Sequence, residues 1–283
     1  MRTRIFNKMT HNEVQAYLDR GGNTIFLGIG VVETHGNMPI DCETIGPEAK
    51  AVLLAEKADG LAMINLPYFY PGGTVISNAT VRLTIADCVD YLKKICYSLV
   101  DQGFKHIFLI TGHGPSSLYV NAFIRDFFEE TLIHPCHLSN LSGKPRSFDL
   151  SKPIDPEQYK KMSYTTYGAY KIMGQMEYLP VDPNVEVQEA ERMATDPRMD
   201  NFAKMCFGFG GICAQIYSDP RQHAGGLIFK SVEERLEACL IGEQALREQV
   251  DACPINELIE ALDVYHEYAQ EMYAKQPRIR NTH

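Results

Sequence analysis

Apolar positions along this chain follow two rhythms. Thr24-Ile25-Phe26-Leu27-Gly28-Ile29-Gly30 and His106-Ile107-Phe108-Leu109-Ile110-Thr111 are near-continuous apolar runs, the signature of strands buried on both faces, and Leu61 to Leu66 is a shorter run of the same kind. Between them the spacing turns helical: Ile85, Val89, Leu92, Ile95 and Leu99 share one face, opened by Thr84 with Asp87 in capping-box spacing and closed by Gly103. A first helix is expected from Asn12 to Arg20, a second from Pro47, a good first-turn residue, to near Gly60, and another from Pro115 with Phe123, Ile124, Phe127 and Phe128 turned inward. Leu138 to Tyr164 is polar and irregular and predicts a long surface excursion, serving as a lid or a subunit contact. Further helices are expected over Gly168 to Tyr178, from Ser231 with Glu234 completing a capping box, and from Pro254 to Lys275. Strands alternating with helices imply an α/β fold with a mostly parallel sheet covered on both faces.

Length and charge narrow the function. A chain of 283 residues suits one large α/β domain spanning residues 1–283, and a net charge of −9 without clustered Lys and Arg argues against nucleic acid. No apolar stretch approaches the roughly 20 residues of a membrane helix and the start lacks an apolar signal core, so a cytoplasmic protein is expected. The eight cysteines show no CxxC pair and read as buried thiols; only Cys42, inside the loop that follows the first strand, is a candidate for reactivity.

The chemistry sits where the two long apolar runs end. Glu33 and His35 are two apart and point to the same side of an extended segment, in a loop that continues to Glu43, while the second run ends in Gly112-His113-Gly114. Open parallel sheets gather ligands at their carboxyl ends, and mixed carboxylate and imidazole donors suit borderline divalent ions such as Zn²⁺ and Mn²⁺. Glu33, His35, Glu43 and His113 are therefore the candidate metal ligands, though a histidine between two glycines equally describes a helix-entry turn. Weaker candidates are His134-Pro135-Cys136-His137 as ligands, Tyr164, Tyr167 and Tyr170 as substrate-lining or core aromatics, and Arg82 as the partner of a substrate acid or of an ordinary salt bridge.

Val31-Val32-Glu33-Thr34-His35-Gly36-Asn37-Met38-Pro39-Ile40 resembles the Glu-Gln-His-Gly motif of the creatininase (creatinine amidohydrolase) family with its following His-Leu-Pro-Leu-Gly-Thr-Asp. Phe108 to Gly114 is similar to the family's Asn-Gly-His-Gly-Gly-Asn strand end, Thr80 to Leu83 to its Gly-Thr-Ile-Ser-Leu segment, and Ser218-Asp219-Pro220-Arg221 to its Gly-Asp-Pro turn. The resemblance implies a three-layer α/β/α sandwich, a dinuclear Zn²⁺ or Mn²⁺ centre, hydrolysis of a carbon–nitrogen bond and a ring-shaped hexamer. By position it makes Glu33 the first-metal carboxylate, His35 the second-metal imidazole and His113 the imidazole of the second strand, with Glu43 standing where the family has a bridging Asp.

The second half departs. Where the family carries His-Ala-Gly-Glu-x-Glu-Thr-Ser, the matching distance falls on Thr166 to Ile172, so the ligand Glu becomes Lys171 and the His becomes Thr166; this register is preferred over a rival one using His223-Ala224-Gly225. Pro115 stands where creatininase has a further Glu, which leaves the fifth ligand open, with Glu177 a possible stand-in. The expectation is a metal-dependent hydrolase in which metal-bound hydroxide attacks the carbonyl of a small cyclic substrate. The bond is an amide by the family resemblance, or a lactone or a carbon–carbon bond of a keto-cyclitol, with Lys171 or Tyr167 as the proton donor or oxyanion partner. A turnover-deficient family member that binds a small molecule or partner, and a lyase or isomerase using one metal for enolisation, are the competing expectations.

Overall fold

A computed structural model describes residues 1–72, 74–75, 78–142, 156–185, 194–209, 211, 213–223 and 226–275. In chain order the elements are α1 (His11–Asp19), β1 (Thr24–Ile29), α2 (Cys42–Lys57), β2 (Leu61–Leu66), the two-residue β3 (Thr74–Val75), α3 (Ile85–Asp101), β4 (His106–Thr111), α4 (Ser116–Thr131) and β5 (Cys136–Leu138). There follow α5 (Pro156–Ile172), α6 (Pro197–Gly208), β6 (Ile216–Tyr217), the single turn α7 (Pro220–His223), α8 (Val232–Asp251) and α9 (Ile255–Lys275). No helix among the described residues is long and apolar enough to cross a membrane.

Four strands form one parallel sheet in the order β2-β1-β4-β5, and β3 pairs with β6 in a separate parallel ribbon. Strand alternation divides the core into two layers. Phe26, Ala62, Phe108 and Ile110 face a cluster with residues of α2, α5, α8 and α9, while Ile25, Leu27, Ile107 and Leu109 face one with residues of α1, α3 and α4. Helices thus cover both sides of the sheet, as the two apolar runs imply.

From β1 the chain crosses to β2 on one side, and β4 lies on the other, so the strand order reverses between β1 and β4. The preference for right-handed crossovers then sends α2 to one face and α3 and α4 to the opposite one. Ile29 and Thr111 pair at the top of this crevice, which brings the segments following β1 and β4 together.

The capping box at Thr84 forms: Thr84 Oγ1 accepts from the Asp87 N–H at 3.1 Å and the Asp87 carboxylate accepts from the Thr84 N–H at 3.2 Å. Ser231 Oγ accepts from the Glu234 N–H at 3.2 Å, but the Glu234 carboxylate reaches one residue further back, to the Lys230 N–H at 2.6 Å. Two boundaries differ from the sequence expectation. Helix α2 opens at Cys42 rather than Pro47, so Pro47 lies inside it and Glu43 belongs to its first turn instead of a loop. Pro47 is tolerated because it falls early in the helix, where its missing N–H withdraws only the bond to the Glu43 carbonyl. Likewise α5 already runs from Pro156, inside the segment read as an irregular excursion, and ends at Ile172; residues 143–155 of that segment lie outside the described residues. Gly168, read as a helix start, is instead a mid-helix contact, since a Cβ on it would meet the Gly242 carbonyl carbon of α8 at 2.1 Å.

Candidate metal centre

Two glycines in β1 set the geometry. A Cβ on Gly28 would lie 2.8 Å from the Glu48 Cα, and one on Gly30 would lie 2.3 Å from the Thr44 Cα, so only a strand bare at both positions lets the first turns of α2 press against it. Between strand and helix the chain folds back tightly. Gly36 takes φ +58°, Met38 N–H donates to the His35 carbonyl at 3.0 Å, and Glu33 N–H donates to the Ile40 carbonyl at 2.9 Å. Thr44 Oγ1 then ties the helix to the Val31 carbonyl at 2.9 Å. The result is that Glu33 and His35 from the strand end and Glu43 from the helix start point into one crevice.

From β4 comes His113. Its Nδ1 contacts a Glu43 carboxylate oxygen and lies 3.9 Å from Glu33 Oε2, while the other Glu43 oxygen lies 3.4 Å from His35 Nε2. The far nitrogens of the two rings meet backbone carbonyls: His113 Nε2 donates to Pro71, and His35 Nδ1 to Glu33 at 3.3 Å. A carbonyl only accepts, so these contacts place a ring proton on His113 Nε2 and His35 Nδ1 and turn His113 Nδ1 and His35 Nε2 toward the acids. The Pro71 carbonyl is held by a close approach, since Gly72, at φ +84°, has Pro115 where a Cβ would be.

Glu33, His35 and His113 are all buried. Burial disfavours charge on His35 and His113, but the hydrogen bonds and charge of Glu43 outweigh it and raise both above the usual imidazole value. Burial likewise works against the Glu43 carboxylate, and the contacts from His113 and His35 overcome it, holding its pKa well below the usual range. What the histidines do not provide is saturation: both oxygens of Glu33 and Nδ1 of His223 are buried without a hydrogen-bond partner. An unmatched buried carboxylate costs several kcal/mol, on the order of the penalty for an isolated interior ion, unless a cation meets it. Two donor triplets, Glu33-Glu43-His113 and Glu33-His35-His223, each have their ligand atoms within 4.8 Å of one another. Acids and imidazoles in that ratio fit Zn²⁺ or Mn²⁺.

The structure therefore brings Glu33, His35, Glu43 and His113 together. It does not bring Lys171 to them. Lys171 Nζ pairs with Glu243 of α8 at 2.6 Å, at the edge of the close α5–α8 contact, which corrects its expected place at the reacting carbonyl. Tyr167 packs in the core; its hydroxyl accepts from the Leu227 N–H at 2.9 Å, and burial pushes its pKa up to about 12. Tyr170 donates to the Asp41 carboxylate. Of the two registers for the family's second motif, the rival one brings a side chain to the cluster: His223 Nε2 lies 3.4 Å from Glu33 Oε2, while Lys171 is engaged by Glu243. Glu177 is exposed in a turn and takes no part.

His134 and His137 diverge. The His134 N–H donates to His266 Nε2 at 2.9 Å, and His137 Nε2 contacts Thr111 Oγ1 at 2.8 Å. Cys42 is buried, and burial followed by the charges of Glu43 and Asp41 pushes its thiol far up, so it is not a reactive thiolate. Arg82 is exposed at a cleft of about 390 Å³ shared with Tyr70, Pro71 and Asp87, beside the carbonyl that orients His113. The Pro71 carbonyl, which has no side-chain signal, escaped sequence reasoning, and His223, signalled by the His-Ala-Gly tripeptide at 223–225, was set aside with the rival register.

Fold and site together define an α/β protein with a carboxylate–imidazole cluster at the switch point of a parallel sheet. The chain belongs to the creatininase family, whose model, described as creatinine amidohydrolase, matches residues 7–174. Among solved structures it is similar to a creatininase point mutant complexed with creatine, at 18% identity and TM-score 0.57, over 88% of this chain and 98% of that one. It is also similar to a manganese creatininase, at 17% identity and TM-score 0.55, covering 89% and 100% of the two chains. A putative creatinine amidohydrolase from Bacteroides fragilis matches at 15% identity and TM-score 0.57, covering 95% and 98%. A search of curated proteins gives no significant match.

Proposed function

We propose that this protein is a divalent-metal-dependent hydrolase acting on the carbonyl of a small cyclic substrate, with Glu33, His35, Glu43 and His113 as metal ligands. The observation that carries the reading is the pair of buried, unmatched carboxylate oxygens of Glu33 beside Glu43 and two imidazoles that backbone carbonyls turn toward the acids. Zn²⁺ or Mn²⁺ is the fitting ion, in line with the Zn-Zn and Mn creatininases among the similar structures. When bound, such an ion supplies a Lewis acid that polarises a carbonyl and acidifies water. The chain's own residues do the positioning: the Pro71 and Glu33 carbonyls fix the two imidazoles, and Glu43, spanning both rings, holds them at one spacing.

An amide ring is the first substrate class, by family; lactones and keto-cyclitols follow, because the acids of the family's second motif have no counterpart here: Lys171 is paired with Glu243, and after His223-Ala224-Gly225 the chain carries Gly226 and Ile228 where the motif has Glu. Self-association into a homo-oligomer is part of the proposal, supported by the exposed rings of Phe202, Phe207 and Phe209 on and after α6. The test is a screen of cyclic amides, lactones and keto-cyclitols with chelator-treated protein before and after Zn²⁺ or Mn²⁺ is restored, run in isotope-labelled water. Metal-dependent turnover with solvent oxygen in the product is expected, and product without that oxygen would indicate a lyase or isomerase. The engagement of Lys171 by Glu243 favours a second reading, a small-molecule binder without turnover, for which metal uptake with no product in any class would speak.

A further inference from the structure

We propose that His223 is a cation ligand contributed by a third chain segment, and that with Glu33 and His35 it builds a second cation position beside that of Glu33, Glu43 and His113. The inference rests on the metal-dependent reading above. It supplies the fifth donor that neither Lys171 nor Pro115 can.

His223 reaches the crevice through long-range pairing. The ribbon of β3 and β6 aligns Thr74 with Ile216 and Val75 with Tyr217, and Ser218 N–H donates to Gln222 Oε1 at 2.9 Å, closing the turn that presents His223. Its ring is packed edge-on against His35, with centroids 4.6 Å apart at 79°, and is backed by Tyr217 at 5.0 Å. Asn37 Nδ2 donates to the Gly226 carbonyl at 3.3 Å, tying the segment just beyond His223 to the turn that carries His35.

Partnership separates the ligand reading from a plain ion pair. Nε2 faces Glu33 Oε2 at 3.4 Å, yet Nδ1 is buried without a hydrogen bond, unlike the second nitrogens of His35 and His113. A contact between His223 and Glu33 Oε2 alone leaves Glu33 Oε1 unmatched in a buried place. A cation shared by Glu33, His35 and His223 answers the carboxylate that serves both triplets. One acid and two imidazoles is a donor set on which Zn²⁺ or Mn²⁺ keeps an open position for substrate.

The test is calorimetric titration of chelator-treated full-length protein with Mn²⁺ or Zn²⁺, with elemental analysis for stoichiometry and Co²⁺ visible absorption as a reporter of nitrogen donors. Wild type is expected to take up two equivalents. His223→Ala should keep one and bind the other at least about 100-fold more weakly. His35→Ala should lose the same equivalent as His223→Ala, and the Co²⁺ spectrum of that equivalent should change. Two equivalents at wild-type affinity in His223→Ala, or a single wild-type equivalent that the substitution leaves intact, would overturn the assignment while sparing the four-ligand reading; no uptake by wild type would overturn both. If circular dichroism shows His223→Ala unfolded, His223→Gln, which keeps volume and polarity, carries the same two outcomes.

Discussion

Strand β4 begins and ends at a histidine cluster, and the two ends are built differently. At its start His106 is saturated: Nδ1 meets Thr24 Oγ1 at 3.0 Å, Nε2 meets Asp263 Oδ1 at 2.7 Å, and nearby His266 accepts the His134 N–H. Just past its end His113 faces Glu43 and Glu33, whose oxygens are buried and only partly answered. The same residue types thus serve to tie α9 to the sheet at one end and leave charge waiting for a cation at the other. Residual demand for a partner, rather than the presence of histidines, marks the functional end.

The sharpest way to break the contrast is to truncate one histidine from each end. His113→Ala should weaken Mn²⁺ or Zn²⁺ binding by about 100-fold or more with an unchanged circular dichroism spectrum. His106→Ala should leave binding intact and lower unfolding stability by about 1–3 kcal/mol in denaturant titrations, through the partners it strands. Equal effects on metal binding would erase the distinction. Next in size, wild type held at about 100 times the dissociation constant should gain about 2.7 kcal/mol against urea. His113→Ala should gain almost nothing from the same metal.

Glu43→Gln and Glu48→Gln sharpen the comparison within a single helix. Both acids lie in α2, but Glu48 is answered by the Asn65 N–H at 2.7 Å, an acceptor role a glutamine oxygen keeps. Glu43→Gln should cut metal affinity while Glu48→Gln leaves it near wild type, as read by calorimetry.

The saturated end should show itself in pH dependence instead. Burial, then the charge of His106, lowers the His266 pKa from 6.5 to about 4, so the folded protein holds it neutral. Between these values the unfolded chain binds the extra proton, so this contribution is complete above pH 6.5 and drains away as pH falls toward 4. Asp263 opposes the shift, while His134 and Lys105 support it. His266→Gln, which can still accept from His134, should flatten that slope in urea melts at pH 7, 5.5 and 4.5. The smallest effect belongs to Lys171→Met: loss of a part-exposed pair with Glu243 should cost under about 1 kcal/mol in thermal melts and leave metal uptake unchanged.

Local signals carried much of this in the sequence. The runs of β1 and β4 and the Thr84–Asp87 cap are short-range features, and Glu33, His35 and His113 were legible because each follows a strand whose end is readable. Glu43 was named while its setting was misread, since Pro47 looks like a helix start; Gly28 and Gly30, two bare positions on one face of a buried strand, were the overlooked sign that a helix lies against it. Lys171 was preferred over His223 for one reason. The partner of Lys171 is 72 residues away, and His223 arrives through the β3–β6 ribbon, so counting along the chain from the second motif could place neither.

The most direct measurement is anomalous diffraction at the zinc and manganese edges from crystals grown with each ion. The account expects a peak within bonding distance of the carboxylates of Glu33 and Glu43 and of His113 Nδ1. Density that stays flat in this crevice while the ion binds elsewhere, or nowhere, would contradict it.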